Sequence, residues 1–305
     1  MLQLLLGGSG SGKTTLLYQR IRARAEKGEK SILLVPEQFT SSTEGRIYRE
    51  LGDALSGMVE SFSFTSLAEK ILSTEGGAAV QTLSDAGRAV LVRRALEELQ
   101  DNVHYYHRHR RSAAFCQMAA QTIDELKSAG LSGQQLAQLA GACGAESGKL
   151  SELALIFQGY ETLLARSGMD PSDRLELAGA RLEEALARHS LPEFLRDRAV
   201  FIDEFDTFNA PKKRLLGAML AALPSVTVAL CDDGAPLLPG DLSLFSGAKQ
   251  VAAQLRQLAR KNGAEVAVPQ LLRKDLRHRN APGLAAVAEL LETGSCTADA
   301  PAGEV

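Results

Sequence analysis

The fold of this chain is decided by a stretch near its N-terminus: Gly7-Gly8-Ser9-Gly10-Ser11-Gly12-Lys13-Thr14. It fits the pattern G-x-x-x-x-G-K-[ST] at every fixed position. In this pattern glycines let the backbone curl so that its N–H groups point at phosphate oxygens, the lysine reaches the outer phosphates, and the threonine hydroxyl ligates Mg²⁺. We therefore predict Thr14 as a metal ligand, and nucleotide binding by Gly7, Gly8, Ser9, Gly10, Ser11, Gly12, Lys13, Thr14 and Thr15.

The residues on either side of this loop predict a strand, a helix and a second strand. Leu2–Leu6 and Ser31–Val35 are apolar runs typical of buried strands, and the apolar residues of Thr14–Lys27 have helical spacing. This order places the loop at a helix N-terminus, where phosphates are bound favourably.

Composition and charge limit the classes of function. The chain has 305 residues, 45% of them hydrophobic and 23% charged, as is usual for globular proteins. Its net charge of −3 gives no overall attraction to DNA or acidic membranes. No apolar run is long enough to predict a membrane span, and none of the 4 cysteines lies in a C-x-x-C pair. We expect a cytoplasmic protein without membrane contact.

The alternation of strands and helices is interrupted in the middle of the chain. Further strands are predicted at Met58–Phe62, Ala199–Ile202, Val226–Leu230 and Glu265–Val268. Between about residues 80 and 197 the apolar residues have helical spacing instead. The sequence therefore predicts an α/β protein, a parallel sheet with an inserted all-helical subdomain. The predicted segments are the two parts of the α/β domain, 1–78 and 198–292, the helical subdomain, 79–197, and a disordered tail, 293–305.

Two acidic residues follow the predicted strand Ala199–Ile202 directly, Asp203 and Glu204. A phosphate-loop enzyme needs a carboxylate at a strand end beside the loop to hold Mg²⁺, and a neighbouring acid can orient or deprotonate the attacking water. We predict Asp203 as a magnesium ligand and Glu204 as the catalytic base. The alternative is a pair of solvated turn carboxylates.

One basic and aromatic segment is a candidate for contact with nucleic acid. Arg108, Arg110 and Arg111 can contact phosphates, and Tyr105 can stack on a base. A solvated connection between helices is the simpler interpretation of the same segment.

A second candidate contact follows the second predicted strand. Gln38 and Thr40 occupy the strand-end position at which phosphate-loop motors often touch nucleic acid or sense the nucleotide. An ordinary polar loop explains these two residues equally well.

Several segments together resemble one family. They are LLVPEQFT at Leu33–Thr40, VESFSFTSLA at Val59–Ala68, DELK at Asp124–Lys127 and FIDEFDTF at Phe201–Phe208. In this order they resemble the B subunit of the AddAB (RexAB) helicase–nuclease, and the resemblance covers residues 1–292.

The resemblance implies both a fold and a function. The fold is a RecA-like P-loop NTPase domain, the first helicase domain of the UvrD superfamily, with a helical subdomain inserted before Asp203. The implied cofactors are ATP and Mg²⁺. The implied partners are an AddA-type helicase–nuclease subunit and single- and double-stranded DNA ends, in recombinational repair of double-strand breaks.

The sequence also departs from the family pattern. It has no second motor domain with an arginine finger, no C-terminal nuclease and no cysteines of an iron–sulfur cluster. After Leu230 it reads Cys231-Asp232-Asp233, without the Gln that couples DNA to ATP in active helicases. We expect the chain by itself to be neither a working helicase nor a nuclease. Two other functions stay open: a stand-alone P-loop kinase, and a structural scaffold with a vestigial nucleotide site.

Overall fold

The computed structural model describes residues 1–77, 79, 81–99, 101–144, 147–274 and 276–294. The chain divides into two compact units. The first, the sheet unit, contains Met1–Leu67, Ala185–Phe208 and the chain from Leu216 onward. The second, the helical unit, contains Ala68–Glu184 and Asn209–Leu215.

The sheet unit is built on six parallel strands. In chain order they are β1 (Leu2–Gly7), β2 (Ser31–Leu34), β3 (Val59–Phe62), β4 (Ala199–Ile202), β5 (Ser225–Cys231) and β6 (Gln270–Leu272). Their order across the sheet is β3-β2-β4-β5-β1-β6. This α/β architecture is consistent with a RecA-like fold. Because every strand runs the same way, the carboxyl ends of β1 and β4 lie at one edge, separated only by β5.

The strands are mostly apolar, as expected where helices pack on a parallel sheet. The helices are α1 (Lys13–Ala25), α2 (Thr40–Leu51), α3 (Asp53–Ser56), α4 (Phe64–Glu75), α10 (Ala210–Ala222), α11 (Ser246–Lys261) and α12 (Pro282–Thr293). Leu17 and Ile21 of α1 and Ile47 of α2 pack in one core cluster with Leu33 of β2 and Phe201 of β4. The cluster fixes α1 and α2 on the sheet.

The helical unit has a core of its own. It contains α5 (Asp85–Glu98), α6 (Ala113–Ser128), α7 (Gly133–Ala140), α8 (Ser147–Ser167) and α9 (Pro171–Ala187). Its core cluster includes Val92, Ile123, Ile156, Phe157 and Tyr160, each at most 1% exposed. The described residues of this unit form no strand, only an isolated bridge between Thr82 and Met169.

A buried polar network joins three helices of the helical unit. Asp170, which is 1% exposed, accepts hydrogen bonds from the Tyr160 hydroxyl at 2.6 Å and from Lys127 Nζ at 2.8 Å. Lys127 Nζ also donates to Asp173 at 2.9 Å. Burial acts to lower the pKa of Lys127, but its hydrogen bonds to Asp170 and Asp173 outweigh burial and raise that pKa. The ammonium therefore stays charged and compensates a buried carboxylate.

One predicted strand is wrong. Glu265–Val268 forms only an isolated bridge between Val266 and Leu2, and the strand lies further on, at Gln270–Leu272. Pro269 separates the two pairings with β1. Because proline has no N–H to donate, a regular ladder cannot continue through it. The predicted tail lies outside the described residues from residue 295 onward.

The buried network yields a prediction about stability. We expect Lys127→Met to lower the free energy of unfolding by about 3 kcal/mol, because it leaves the Asp170 carboxylate buried without its cation. Urea titration followed by circular dichroism measures this change.

The matched control is Arg94→Ala, which removes an ion pair with Glu98 in which both side chains are more than half exposed. It should cost less than about 1 kcal/mol. Equal losses in the two variants would contradict the role given to the buried network.

Candidate functional site

A cavity of about 710 Å³ opens at the carboxyl edge of the sheet. Among the residues predicted from sequence, it is lined by Ser9, Gly10, Gly12, Lys13, Thr14, Thr15, Gln38, Asp203 and Glu204. The structure thus brings together the two segments that were predicted separately, one from the start of the chain and one after β4.

The glycine-rich loop between β1 and α1 needs its glycines for two reasons. Gly10 and Gly12 have φ angles of 77° and 89°, in the left-handed region that other residues rarely adopt. At Gly7 a Cβ atom would lie 2.4 Å from Ser11 Oγ and 2.6 Å from the carbonyl oxygen of Leu272. The loop is therefore curled tightly against itself and against β6.

Lys13 occupies the concave side of this loop. Its Nζ donates to the carbonyl oxygens of Gly7 and Gly8, both at 2.8 Å. These contacts hold the ammonium beside the loop backbone, at the start of α1. A positive charge at a helix N-terminus, with backbone N–H groups around it, is an arrangement that suits a phosphate.

Asp203 lies at the end of β4 and is 7% exposed. Its N–H donates to the carbonyl of Leu34 at 3.1 Å, and its Oδ1 accepts the N–H of Glu204 at 3.0 Å. Burial raises the pKa of Asp203, while hydrogen bonds from the Thr14 hydroxyl and the Glu204 N–H, and the charges of Lys13 and Arg46, act in the opposite direction.

The oxygens of Thr14 and Asp203 fit a magnesium ion. Mg²⁺ binds through one or two oxygen ligands of the protein and completes its shell with water and substrate phosphates. The described residues contain no group of three or more His, Cys, Asp or Glu side chains that could hold a metal.

Glu204 has a φ angle of 65°, unusual for a residue other than glycine. His189 and Asp197 share this feature, so it does not by itself mark a site. Burial raises the pKa of the Glu204 carboxyl, and the neighbouring charge of Asp203 raises it further. A raised pKa makes a carboxylate a stronger base.

Three of the predicted loop residues face elsewhere. Gly7, Gly8 and Ser11 line a second cavity of about 420 Å³, which also touches Asp232. Asp232 is 2% exposed, and burial raises its pKa although the Gly234 N–H donates to its Oδ1 at 2.7 Å. Ser11 Oγ is buried and has no hydrogen-bond partner among the described residues.

Gln38 and Thr40 are placed differently. Gln38 lines the large cavity, whereas the Thr40 hydroxyl donates to the carbonyl of Glu37 at 2.5 Å and does not line that cavity. The two residues therefore differ in their access to a ligand there.

The basic segment predicted to meet nucleic acid lies in the helical unit, where Glu152 orders it. The Glu152 carboxylate accepts the backbone N–H groups of His104, Tyr105 and Tyr106 at 2.8–3.1 Å. Burial acts to raise the pKa of Glu152, but these hydrogen bonds outweigh it and lower the pKa. Tyr105 is exposed and lies under Lys149 Nζ at 5.2 Å.

The three arginines that follow in this segment differ in exposure. Arg108 and Arg111 are exposed, and Arg110 is half-buried.

Several residues of the large cavity were not predicted from the sequence: Phe39, Arg46, Phe205, Asp206, Cys231, Leu276 and Arg277. Arg46 lies on α2, whose buried positions Thr43, Ile47 and Leu51 have helical spacing. That pattern could have revealed the helix. No local sequence pattern predicts that Leu276 and Arg277 line this cavity. They lie far from the loop in the sequence and contact it only in the folded chain.

These two residues hold the glycine-rich loop from outside. The Leu276 N–H donates to the carbonyl of Gly10 at 3.0 Å, and Arg277 Nη1 donates to Ser9 Oγ at 3.1 Å.

Comparison with known proteins assigns the family. The family model described as "ADDB, N-terminal" matches residues 4–288. The chain belongs to the AddB N-terminal family. Proteins named as the B subunit of an ATP-dependent helicase/deoxyribonuclease are 34% identical in Desulforudis audaxviator and 33% in Moorella thermoacetica, each over 93% of this chain. The one from Symbiobacterium thermophilum is 31% identical over 95% of this chain.

This member of the AddB N-terminal family spans about a quarter of the length of these relatives, 25–26%. In the part of the chain that the structure describes, no helix is both long and apolar enough to cross a membrane.

The burial of Asp203 yields a prediction about pH. Asp203→Asn keeps the shape and hydrogen-bond acceptor of the side chain but removes its charge. The raised pKa means that the folded state holds this proton more tightly than the unfolded state. Below the pKa that Asp203 has in the unfolded state, the residue is protonated in both states and its ionisation costs no stability. The cost grows as the pH rises above that value and is complete above the pKa of the folded state.

We expect Asp203→Asn to unfold at a higher temperature than the wild type at pH 7 without Mg²⁺, with the difference shrinking towards pH 4. Calorimetry across this range measures it. Asp206→Asn, an exposed residue of the same cavity, should leave the melting temperature unchanged. A melting temperature for Asp203→Asn below that of the wild type at every pH would contradict the assignment of a burial cost.

Proposed function

We propose that this chain is an ATP- and Mg²⁺-binding, helicase-like domain of a subunit that processes DNA double-strand breaks. It is a RecA-like P-loop NTPase domain of the UvrD superfamily, and it works with an AddA-type helicase–nuclease subunit on single- and double-stranded DNA ends. One observation carries the proposal: Lys13, Thr14 and Asp203 line one cavity at the carboxyl edge of a parallel sheet.

Each residue has a defined role in this proposal. Lys13 neutralises the outer phosphates, and the backbone N–H groups of the loop bind their oxygens. Thr14 and Asp203 hold Mg²⁺, which when bound draws charge from the phosphates. Glu204 orients or deprotonates the attacking water, because its raised pKa suits a base. The residues assigned to the loop are Gly7 to Thr15.

Family membership supports the DNA-repair role. The relatives are named as the B subunit of an ATP-dependent helicase/deoxyribonuclease. That name does not describe a stand-alone kinase. A scaffold with a vestigial nucleotide site differs from our proposal in one measurable property, the affinity for Mg-ATP.

Lys13→Ala tests the nucleotide site. We expect this variant to bind Mg-ATP at least about tenfold more weakly than the wild type, because a charge-assisted contact with phosphate is lost. Its circular dichroism spectrum should be unchanged, because Lys13 is not a core residue. Isothermal titration calorimetry gives the affinity.

Lys27→Ala is the matched control, since this exposed lysine follows the other end of α1. It should bind Mg-ATP like the wild type. If Lys13→Ala also binds with unchanged affinity, the phosphate-loop assignment is wrong.

The Tyr105–Arg111 segment is our proposed DNA contact in the helical unit. We expect replacement of Arg108, Arg110 and Arg111 together by Ala to reduce the slope of log affinity for single-stranded DNA against log salt by about 2. Each phosphate contact on a single strand contributes roughly 0.7 to that slope through counterion release. Fluorescence anisotropy at several salt concentrations measures the slope.

Arg93 and Arg94 are the matched control, because both are exposed in the same unit but already paired with Glu97 and Glu98. Their double replacement by Ala should leave the slope unchanged. An unaltered slope in the triple variant would return the segment to its simpler interpretation as a solvated connection.

A further inference from the structure

Arg46 is a cation of the large cavity that the proposed roles do not use. It lies on α2 and lines the cavity together with Lys13, Thr14, Asp203 and Glu204. The side chain is half-buried, so its charge is only partly screened by solvent. Among the described lining residues Arg46 is one of three cations, with Lys13 and Arg277, that would attract the phosphates of a ligand.

The guanidinium of Arg46 is held in place by an aromatic ring. Its central carbon lies 5.0 Å from the centroid of the Tyr18 ring, within the range of a cation–π interaction. Tyr18 belongs to α1 and is 5% exposed, so its ring is fixed in the core. Burial raises the pKa of Tyr18 to about 12, against the opposing charge of Arg46, so the phenol is neutral at physiological pH.

The described residues leave the hydrogen-bonding capacity of Arg46 unused. In the described part of the chain, its guanidinium forms neither a hydrogen bond nor a salt bridge. A guanidinium offers five N–H donors in a planar fork that matches the oxygens of a phosphate.

The residues around Arg46 indicate which end of a nucleotide it would meet. Arg46 lines the same cavity as Asp203 and Glu204. Those are the residues assigned to the metal and the attacking water, which act at the outermost phosphate. A guanidinium in the same cavity would therefore meet that phosphate rather than the inner ones.

We propose that Arg46, oriented by Tyr18, binds the terminal phosphate of a nucleoside triphosphate and makes the site distinguish the triphosphate from the diphosphate. This inference rests on the nucleotide site proposed above. It assigns a specificity residue within the sheet unit itself, supplied by the helix that follows β2.

The ratio of the affinities for Mg-ATP and Mg-ADP tests this role. In the 305-residue chain, Arg46→Gln should weaken Mg-ATP binding by about tenfold or more, as expected for a charge-assisted hydrogen bond. Its affinity for Mg-ADP should change by less than about twofold, because the contacted phosphate is absent. Arg46→Lys keeps the positive charge but lacks the planar set of N–H donors. It should recover only part of the preference for Mg-ATP over Mg-ADP.

Arg49→Gln is the matched control. Arg49 lies on the same helix, is exposed, and donates to the carbonyl of Gly45 rather than lining the cavity. It should bind both nucleotides like the wild type.

The outcomes separate this inference from the nucleotide site itself. If the wild type binds Mg-ATP and Lys13→Ala does not, but Arg46→Gln has an unchanged ratio or loses both nucleotides equally, the role of Arg46 is wrong and the site stands. If the wild type binds neither nucleotide, both proposals fail. Circular dichroism of Arg46→Gln identifies any loss of affinity that comes from unfolding.

Discussion

The parallel arrangement of β1 and β4, with only β5 between them, brings the two halves of the candidate site together. Both strands end at the same edge of the sheet, so Thr14 and Asp203 line one cavity there. Thr14 follows one of these strands by a tight loop, and Asp203 follows the other directly. Every group assigned to nucleotide or magnesium depends on this placement.

The glycine-rich loop is held from several sides, and this limits which substitutions its residues tolerate. Its own curl requires left-handed angles at Gly10 and Gly12, and β6 leaves no space for a Cβ at Gly7. Leu276 and Arg277 add hydrogen bonds from the segment that follows β6. A loop that is already shaped in the free protein binds phosphate without a large cost of ordering.

Buried charge is used differently in the two units. In the helical unit Lys127 compensates Asp170, and the pair is fully hydrogen-bonded, as a structural network requires. In the sheet unit burial raises the pKa of Asp203, and no described residue forms a salt bridge with it. An incompletely compensated carboxylate next to a cavity destabilises the free protein and favours binding of a cation.

The sequence by itself determined the glycine-rich loop, five of the six strands and the apolar strand that ends in Asp203, because these are local patterns of residue type and spacing. It failed at Glu265–Val268, where hydrophobicity predicted a strand but Pro269 and the pairing with β1 moved it to Gln270–Leu272. Only the tertiary structure placed Arg46 over Tyr18 and Leu276 against the loop. Such contacts join residues far apart in the chain, and their geometry follows from how helices pack on the sheet, which no local pattern encodes.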